Sequence, residues 1–488
     1  MTTYKLSTQI ILSAVFALMP FIASAQDYVW IIGGGPYLEH SQSQIELNVK
    51  WANRVIHKQN PNVETRIFYS DGNNPAPDVI NFVEHYPAEA LFLPFDYIFG
   101  GTEIHAKAFY NHSIINVAGS TKLESLKPEL ENDFSRLVKG DKALILYNGH
   151  GGFNGSDYSK NHLRLWGKTK LTVYDLENLF SGIHPDIPVR YIMTQCFSGA
   201  FGNAIHPEAN KNTLKLEGNR CGFMAESARR ESEGCSASVK TNDYRDYTTY
   251  FFAALDGKTR LNKPLASNPD RNGDNKVSLY EAHLYTLENA YSTDLSRSTS
   301  EQYLEKWEPW YLRWLSKSDN AEQSVYSDIA RNITKRDKIS IEVIQSTSSL
   351  REQRILLFKK YMGLKQQDNS LEKQIKEKQR LITKSLLVEY PKIKEAYKNK
   401  FDVYPKDTLT KIKMSIEQHP TFEGLPELFI KKAELILPLL EAKRKLTQVE
   451  KIARMLKLAK LDSYFKIFSD SKASENYSAL LSCENTTL

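Results

Sequence analysis

The sequence predicts an α/β protein with a mostly parallel sheet, followed by an all-helical region. Three observations carry this expectation. Ala143–Tyr147 and Val189–Met193 are apolar runs that stop abruptly at polar and glycine residues, as buried parallel strands do where they end in functional loops. Strand-like runs alternate with segments of helical spacing over the first two thirds of the chain. From Ala321 onward glycine nearly vanishes and Leu/Ile alternate with Lys/Glu at helical spacing.

Met1–Ala25 reads as an export signal. Lys5 gives a short basic start, Ile10–Ile22 an apolar stretch, and Ala23-Ser24-Ala25 the small residues of a cleavage site. The alternative is an N-terminal membrane anchor, for which the run is short. The expected location is secreted or periplasmic, with no membrane span after signal removal. The remaining chain, within 488 residues of 41% hydrophobic content, is long enough for two or three domains. Charge divides it: Ala321–Leu488 carries 32 basic and 22 acidic residues, a net of +10, against −4 for the rest. The expected division is 1–25 signal, 26–318 α/β domain and 319–488 basic helical domain. A lysine-rich helical domain accounts for the excess, and no nucleic-acid partner is expected.

Tyr28–Ile32, ending in Gly33-Gly34-Gly35-Pro36, reads as the first strand and a tight turn, with no dinucleotide fingerprint. Ile45, Val49, Ala52 and Ile56 give Gln44–His57 a helical face, and Thr65–Tyr69 is a second strand stopped by Ser70-Asp71-Gly72-Asn73. Ile80–Ser120 is aromatic-rich and poorly periodic, an elaborated loop over the sheet edge. Leu123, Leu126, Leu130, Phe134 and Leu137 predict a helix leading into the strand before His150. Asp157–Lys170 reads as a polar loop, Thr172–Phe180 as a short helix, and Cys221–Ala225 as another strand.

His150 and Cys196 are each delivered just past the end of a strand, to the edge where open α/β sheets bind ligands. A thiol becomes a strong nucleophile as a thiolate, and a nearby imidazole can take its proton and later protonate a leaving group. Glycines beside His150 permit close backbone approach. The backbone N–H groups of Gly151 and Cys196 are candidate oxyanion donors. The alternative is a buried structural cysteine and a loop histidine.

Gly149-His150-Gly151-Gly152 and Gln195-Cys196-Phe197-Ser198-Gly199 resemble the strand–His-Gly and strand–Cys-x-x-Gly motifs of the caspase–legumain superfamily. Their separation is close to the roughly 50 residues of caspases. Ala228-Arg229-Arg230-Glu231-Ser232-Glu233-Gly234-Cys235 resembles the Arg-Glu-Ser segment of legumains. The resemblance covers about Asp27–Leu315. It implies a caspase-like αβα sandwich and a cysteine endopeptidase, with Cys196 as nucleophile, His150 as acid/base, a protein or peptide as substrate, and Ser227, Glu231 and Ser232 as pocket candidates. Legumains carry glutamate after the catalytic cysteine where this chain has Phe197, so no specificity is carried over. Two alternatives keep the fold: a transpeptidase using the same dyad, and a non-catalytic calcium-stabilised binding module. Legumain-type enzymes also imply that the basic helical region caps the site, the alternative being a partner-binding module.

With Cys196 kept free, Cys221 and Cys235 are the natural disulfide pair, leaving Cys483 over. Asp270, Asn272, Asp274, the Lys276 carbonyl, Ser278 and Glu281 fall at positions 1, 3, 5, 7, 9 and 12 of a calcium loop, with Asn275 in place of the usual glycine. Structural Ca2+ is the expected ion, and no cofactor is needed for chemistry. The alternative is an ion-free turn capping the next helix. Trp307, Trp310, Tyr311 and Trp314 form either a packing seam between the two regions or an aromatic sugar platform.

Overall fold

The computed structural model describes residues 25–83, 93–101, 106–155, 157–234, 243–314, 323–339, 347–398 and 404–488. Residues 1–24, on which nearly all of the expected export signal falls, and Cys235 lie outside them. In chain order the first part comprises β1 (Asp27–Gly34), α1 (Ser43–Gln59), β2 (Glu64–Tyr69), β3 (Val79–Val83), α2 (Leu93–Phe99), β4 (Ala106–Tyr110), β5 (Val117–Gly119) and α3 (Leu123–Ser135). There follow β6 (Lys142–Gly152), β7 (His162–Leu165), β8 (Thr169–Thr172), α4 (Val173–Ser181), β9 (Val189–Met193), β10 (Arg220–Met224), α5 (Tyr247–Asp256), α6 (Leu279–Asn289), β11 (Arg297–Ser298) and α7 (Thr299–Trp307). The chain ends with α8 (Val325–Arg336), α9 (Thr347–Glu389), α10 (Ile393–Lys398), α11 (Lys406–Glu417), α12 (Leu425–Phe468) and α13 (Ser471–Glu484).

The main sheet runs β11-β10-β9-β6-β1-β2-β5, parallel except at the β11 edge. Its central strands β1 and β6 are apolar along their paired lengths, at Val29–Ile32 and Ala143–Tyr147, because both faces are buried there. Trp30 and Ile32 of β1 join Ile145, Tyr147, Tyr191 and Met193 in one core, while Val29 and Ile31 join Leu144, Leu146 and Ile192 in the other. Helices α3, α4 and α7 cover the first face and α1 and α5 the second, a three-layer α/β/α arrangement followed by helices.

Two segments are more regular than their sequence suggests. The aromatic-rich stretch contains an antiparallel hairpin of β3 and β4 and the helix α2. The polar stretch after His150 forms β7 and β8, folding back antiparallel onto the end of β6. Pairing across strands organises both, and it leaves little periodicity in a single chain.

The helical region is built into the α/β part. Val449, Ile452, Met455 and Leu458 of α12 and Tyr477 and Leu480 of α13 belong to the same core as Trp30 and Tyr191. Trp307 packs edge-on to Phe465 at 4.8 Å, so this tryptophan is part of the seam, whereas Trp310 is 75% exposed. A further core joins Phe95 and Ile98 of α2 to Ile375, Ile382, Ile412 and Phe429. Pro438 is accommodated within a continuous α12. The C-terminus threads into the fold: the buried Arg190 guanidinium donates to the Thr487 carbonyl at 2.9 Å, and Leu279 N donates to the Thr486 carbonyl at 3.0 Å.

The disulfide joins Cys221 to Cys483, not to Cys235. Helix α13 packs on β10 and α7 and carries Cys483 to the inner strand position of Cys221. The sequence spacing favours a local partner, but packing supplies one 262 residues away.

Candidate active site

The register of β6 and β9 sets the geometry. Tyr147 and Met193 form the last paired rung, and Thr194 N continues the pairing to the Tyr147 carbonyl at 3.2 Å. His150 and Cys196 therefore stand three residues beyond the same rung. His150 is still within β6, whose end pairs with β7, so it is held in a strand and not on a free loop. A Cβ built on Gly151 would lie 1.9 Å from the Cys196 carbonyl oxygen and 2.8 Å from Gln195 Cγ, so only glycine allows the two strand ends to meet this closely.

Cys196 is the free cysteine among the described residues. Ser232 Oγ lies 3.7 Å from its Sγ and 3.2 Å from the Thr194 carbonyl, and Sγ faces the Ser232 carbonyl at 4.0 Å. Burial pushes the thiol pKa up, Ser232 opposes this by hydrogen bonding, and the charges of Glu231 and Asp294 add to the rise. Phe197 adopts a left-handed backbone (φ 60°), donates its N–H to the Arg230 carbonyl at 2.8 Å, and stacks on Phe153 with ring centroids 5.3 Å apart. Behind it the buried Gln195 amide has neither polar atom hydrogen-bonded.

His150 Nε2 lies 2.8 Å from Gln42 Oε1, and its ring meets that of His40 at 5.5 Å. Burial, then the neighbouring His40 and Arg164, lower its pKa to about 4, partly offset by the His40 backbone. Near neutral pH the imidazole is uncharged. With Nε2–H donating to Gln42, the neutral tautomer leaves Nδ1 as the basic nitrogen. The pair is thus a neutral thiol and a neutral imidazole, not a preformed thiolate–imidazolium pair.

Of the pocket candidates, Ser232 is at the thiol. Glu231 is exposed and reaches Cys196 through its charge, and Ser227 is half-buried, donating its N–H to Glu226 at 2.6 Å. Their segment is held from α12: Arg230 pairs with Glu450 and donates to Thr447 Oγ1 at 3.0 Å, and Arg444 pairs with Glu233. Gln42, His40, Glu450 and Arg444 are absent from the sequence reading. Each lies far along the chain from the group it serves, and no local pattern marks it.

In the 270–281 loop, Asp270 accepts from Gly273 N and Asn275 N, Asn272 from Asp274 N, and Asp274 from Lys276 N, at 2.7–3.0 Å. Asn275 takes the left-handed conformation (φ 64°), as its position in the turn requires. Ser278 and Glu281 form a reciprocal cap on α6, and Glu281 also accepts from Arg271 N and Asn272 N. Carboxylate oxygens have spare lone pairs beyond these bonds, so the donor set suits a hard dication such as Ca2+, although Glu281 must release loop N–H groups to ligate it fully.

No protein-family model matches the chain, and no curated protein matches it. Among solved structures it is similar to protein GSU0716 from Geobacter sulfurreducens, at TM-score 0.28 and 11% identity over 48% of this chain and 83% of that one. A likeness at that level assigns neither fold family nor activity. No described helix is long and apolar enough to cross a membrane.

Proposed function

We propose that the chain is an exported cysteine endopeptidase of the caspase–legumain type, with Cys196 as nucleophile and His150 as acid/base. The observation that carries this reading is the matched placement of the two residues beyond one rung of β6 and β9, with Gly151 against the Cys196 backbone. His150 takes the Sγ proton as sulfur attacks the substrate carbonyl carbon. The imidazolium then protonates the departing amine, leaving an acyl-enzyme. Water, deprotonated by His150, releases the acid and restores the thiol. The Gly151 and Cys196 N–H groups are the proposed oxyanion donors. A neutral resting pair favours proton transfer concerted with attack. The 270–281 loop, with Ca2+ on its oxygens, serves structure and not chemistry.

The test is a peptide-library incubation with calcium and reductant, read by cleavage and by a mass adduct on Cys196. Cleavage that is lost in Cys196→Ala and in His150→Ala supports the reading. Absence of cleavage, with Cys196 alkylated at the same ordinary rate in wild type and His150→Ala, overturns it in favour of a binding module of the same fold.

A further inference from the structure

An aromatic pair bridges the two motifs of the candidate site. Phe197 follows Cys196 directly, and Phe153 stands three residues beyond His150, just after the end of β6. Their rings stack with centroids 5.3 Å apart and planes 29° from parallel. Stacking does not hide them: Phe197 is half-buried, and Phe153 keeps 45% of its surface exposed.

A lone exposed phenylalanine is ordinary on a protein surface. This pair differs because its backbone is held in place at a cost. Phe197 adopts φ 60°, in the left-handed region that bulky residues rarely enter. Its N–H, donating to the Arg230 carbonyl at 2.8 Å, fixes it there. On the Phe153 side, the buried Asn161 side chain accepts from Asn154 N at 3.0 Å and donates to the Ala228 carbonyl at 3.0 Å. The residue after Phe153 and the backbone of Phe197 are thus tied to one short stretch, Ala228–Arg230. The pair is positioned before a substrate arrives, so binding leaves little ordering cost to meet.

The strand order places the pair relative to a peptide. Cys196 follows β9, which lies between β10 and β6. On the β10 side stands the Ser227–Ser232 segment, with Ser232 Oγ 3.7 Å from Sγ. On the β6 side stand His150 and, beyond it, Phe153. The departing amine takes its proton from His150, so the residue carrying that amine lies on the β6 side.

We propose that Phe153 and Phe197 form an apolar subsite for the substrate residue on the leaving-group side of the scissile bond, selecting an aromatic or large aliphatic side chain. The proposal rests on the endopeptidase reading and adds a substrate feature to it. An aromatic side chain gains ring contacts there beyond the surface it buries, and a charged one loses water against the rings.

For the test, a peptide cleaved in the library is remade with only its leaving-group residue varied, as Phe, Leu, Ala or Asp. A second series varies only the acyl-side residue. The full-length enzyme, with calcium and reductant, is expected to favour Phe or Leu over Ala by roughly tenfold or more in kcat/KM, with Asp last. Phe153→Ala and Phe197→Ala should each bring that ratio to within about threefold, while the ranking in the acyl-side series stays as it was. A purely structural role would slow every peptide alike and leave the ratio standing. Because Phe197 sits in a strained turn, melting curves and the milder Phe197→Leu guard against misfolding. Phe153→Lys, at the more exposed ring, should move the preference from Phe towards Asp. A flat leaving-group series in the wild type, or a ratio unmoved by Phe153→Ala, overturns the proposal and leaves the endopeptidase reading intact. No cleavage of any library peptide overturns both.

Discussion

Two loops of this protein are stabilised in opposite ways. The 270–281 loop is held largely by itself: its longest internal bond, from Arg271 N to Glu281, spans ten residues. The Glu226–Glu233 segment, which presents Ser232 to Cys196, is held from a distance. Arg230 meets Glu450 across 220 residues and Glu233 meets Arg444 across 211, while the buried Glu226 accepts from Leu295 N at 3.1 Å. A loop held mostly by its own hydrogen bonds keeps its shape with few remote contacts, the Leu279 N bond to the Thr486 carbonyl among them. A segment positioned by remote charges works only when the whole fold is assembled, so the candidate site depends on the C-terminal helices for its shape.

The largest effects should come from breaking the assembled side of this contrast. Cys196→Ala and His150→Ala are each expected to lower kcat/KM for a cleaved peptide by at least about a thousandfold, measured on folded protein, as expected when groups that act as a unit are removed. Retained turnover in either variant would detach the chemistry from this edge of the sheet. Next, Cys483→Ser removes a bond closing 262 residues and is expected to cost about 3–5 kcal/mol in denaturant unfolding under oxidising conditions. Helix α13 also contributes Glu484, which accepts from Thr299 Oγ1, Ser300 N and Ser300 Oγ at the start of α7. Deleting the region after Ala321 would therefore strip the sheet of part of its core. Point changes such as Arg444→Ala test the proposed cap more cleanly, because they loosen the Ser232 segment while leaving that core in place.

The same contrast explains what the sequence disclosed. The strands Val29–Ile32 and Leu144–Tyr147 are legible because both faces of a parallel sheet are buried, so each reads as an unbroken apolar run, and Val189–Met193 is interrupted only by Arg190, whose buried guanidinium donates to the Thr487 carbonyl. The Ser278–Glu281 cap and the left-handed Asn275 are legible because their partners lie within a few residues. The placement of His150 and Cys196 follows from the strands that carry them. The orientation of His150 does not, because Gln42 lies 108 residues away. The Cys221 pairing is hidden for the same reason: spacing favours Cys235, while tertiary packing supplies Cys483.

The self-contained loop gives a smaller and independent effect. Calcium at a hundred times its dissociation constant is expected to add about 2.7 kcal/mol to unfolding, seen as a chelator-reversible rise in melting temperature. Asp274→Asn should reduce that rise while leaving Arg444–Glu233 and the alkylation rate of Cys196 as they are. If calcium instead changes the alkylation rate without changing melting, the loop communicates with the site and the separation drawn above fails.

The smallest expected effect is the most informative about His150. Its pKa is about 4 in the folded protein against an ordinary 6.5, with burial the first cause. A depressed folded pKa means that the unfolded chain takes up this proton first on acidification. The contribution of this residue to stability is therefore intact above about pH 6.5 and is lost as the pH falls towards 4. Gln42→Glu places a carboxylate where the amide oxygen now lies 2.8 Å from Nε2. An adjacent negative charge favours the imidazolium and should raise the His150 pKa by roughly one unit or more. The acid limb of kcat/KM should move to higher pH, and the loss of stability between pH 6.5 and 4 should shrink. Both follow from one proton on one ring, so they must move together. An acid limb that stays in place while stability changes would mean that Gln42 supports the fold without orienting the base.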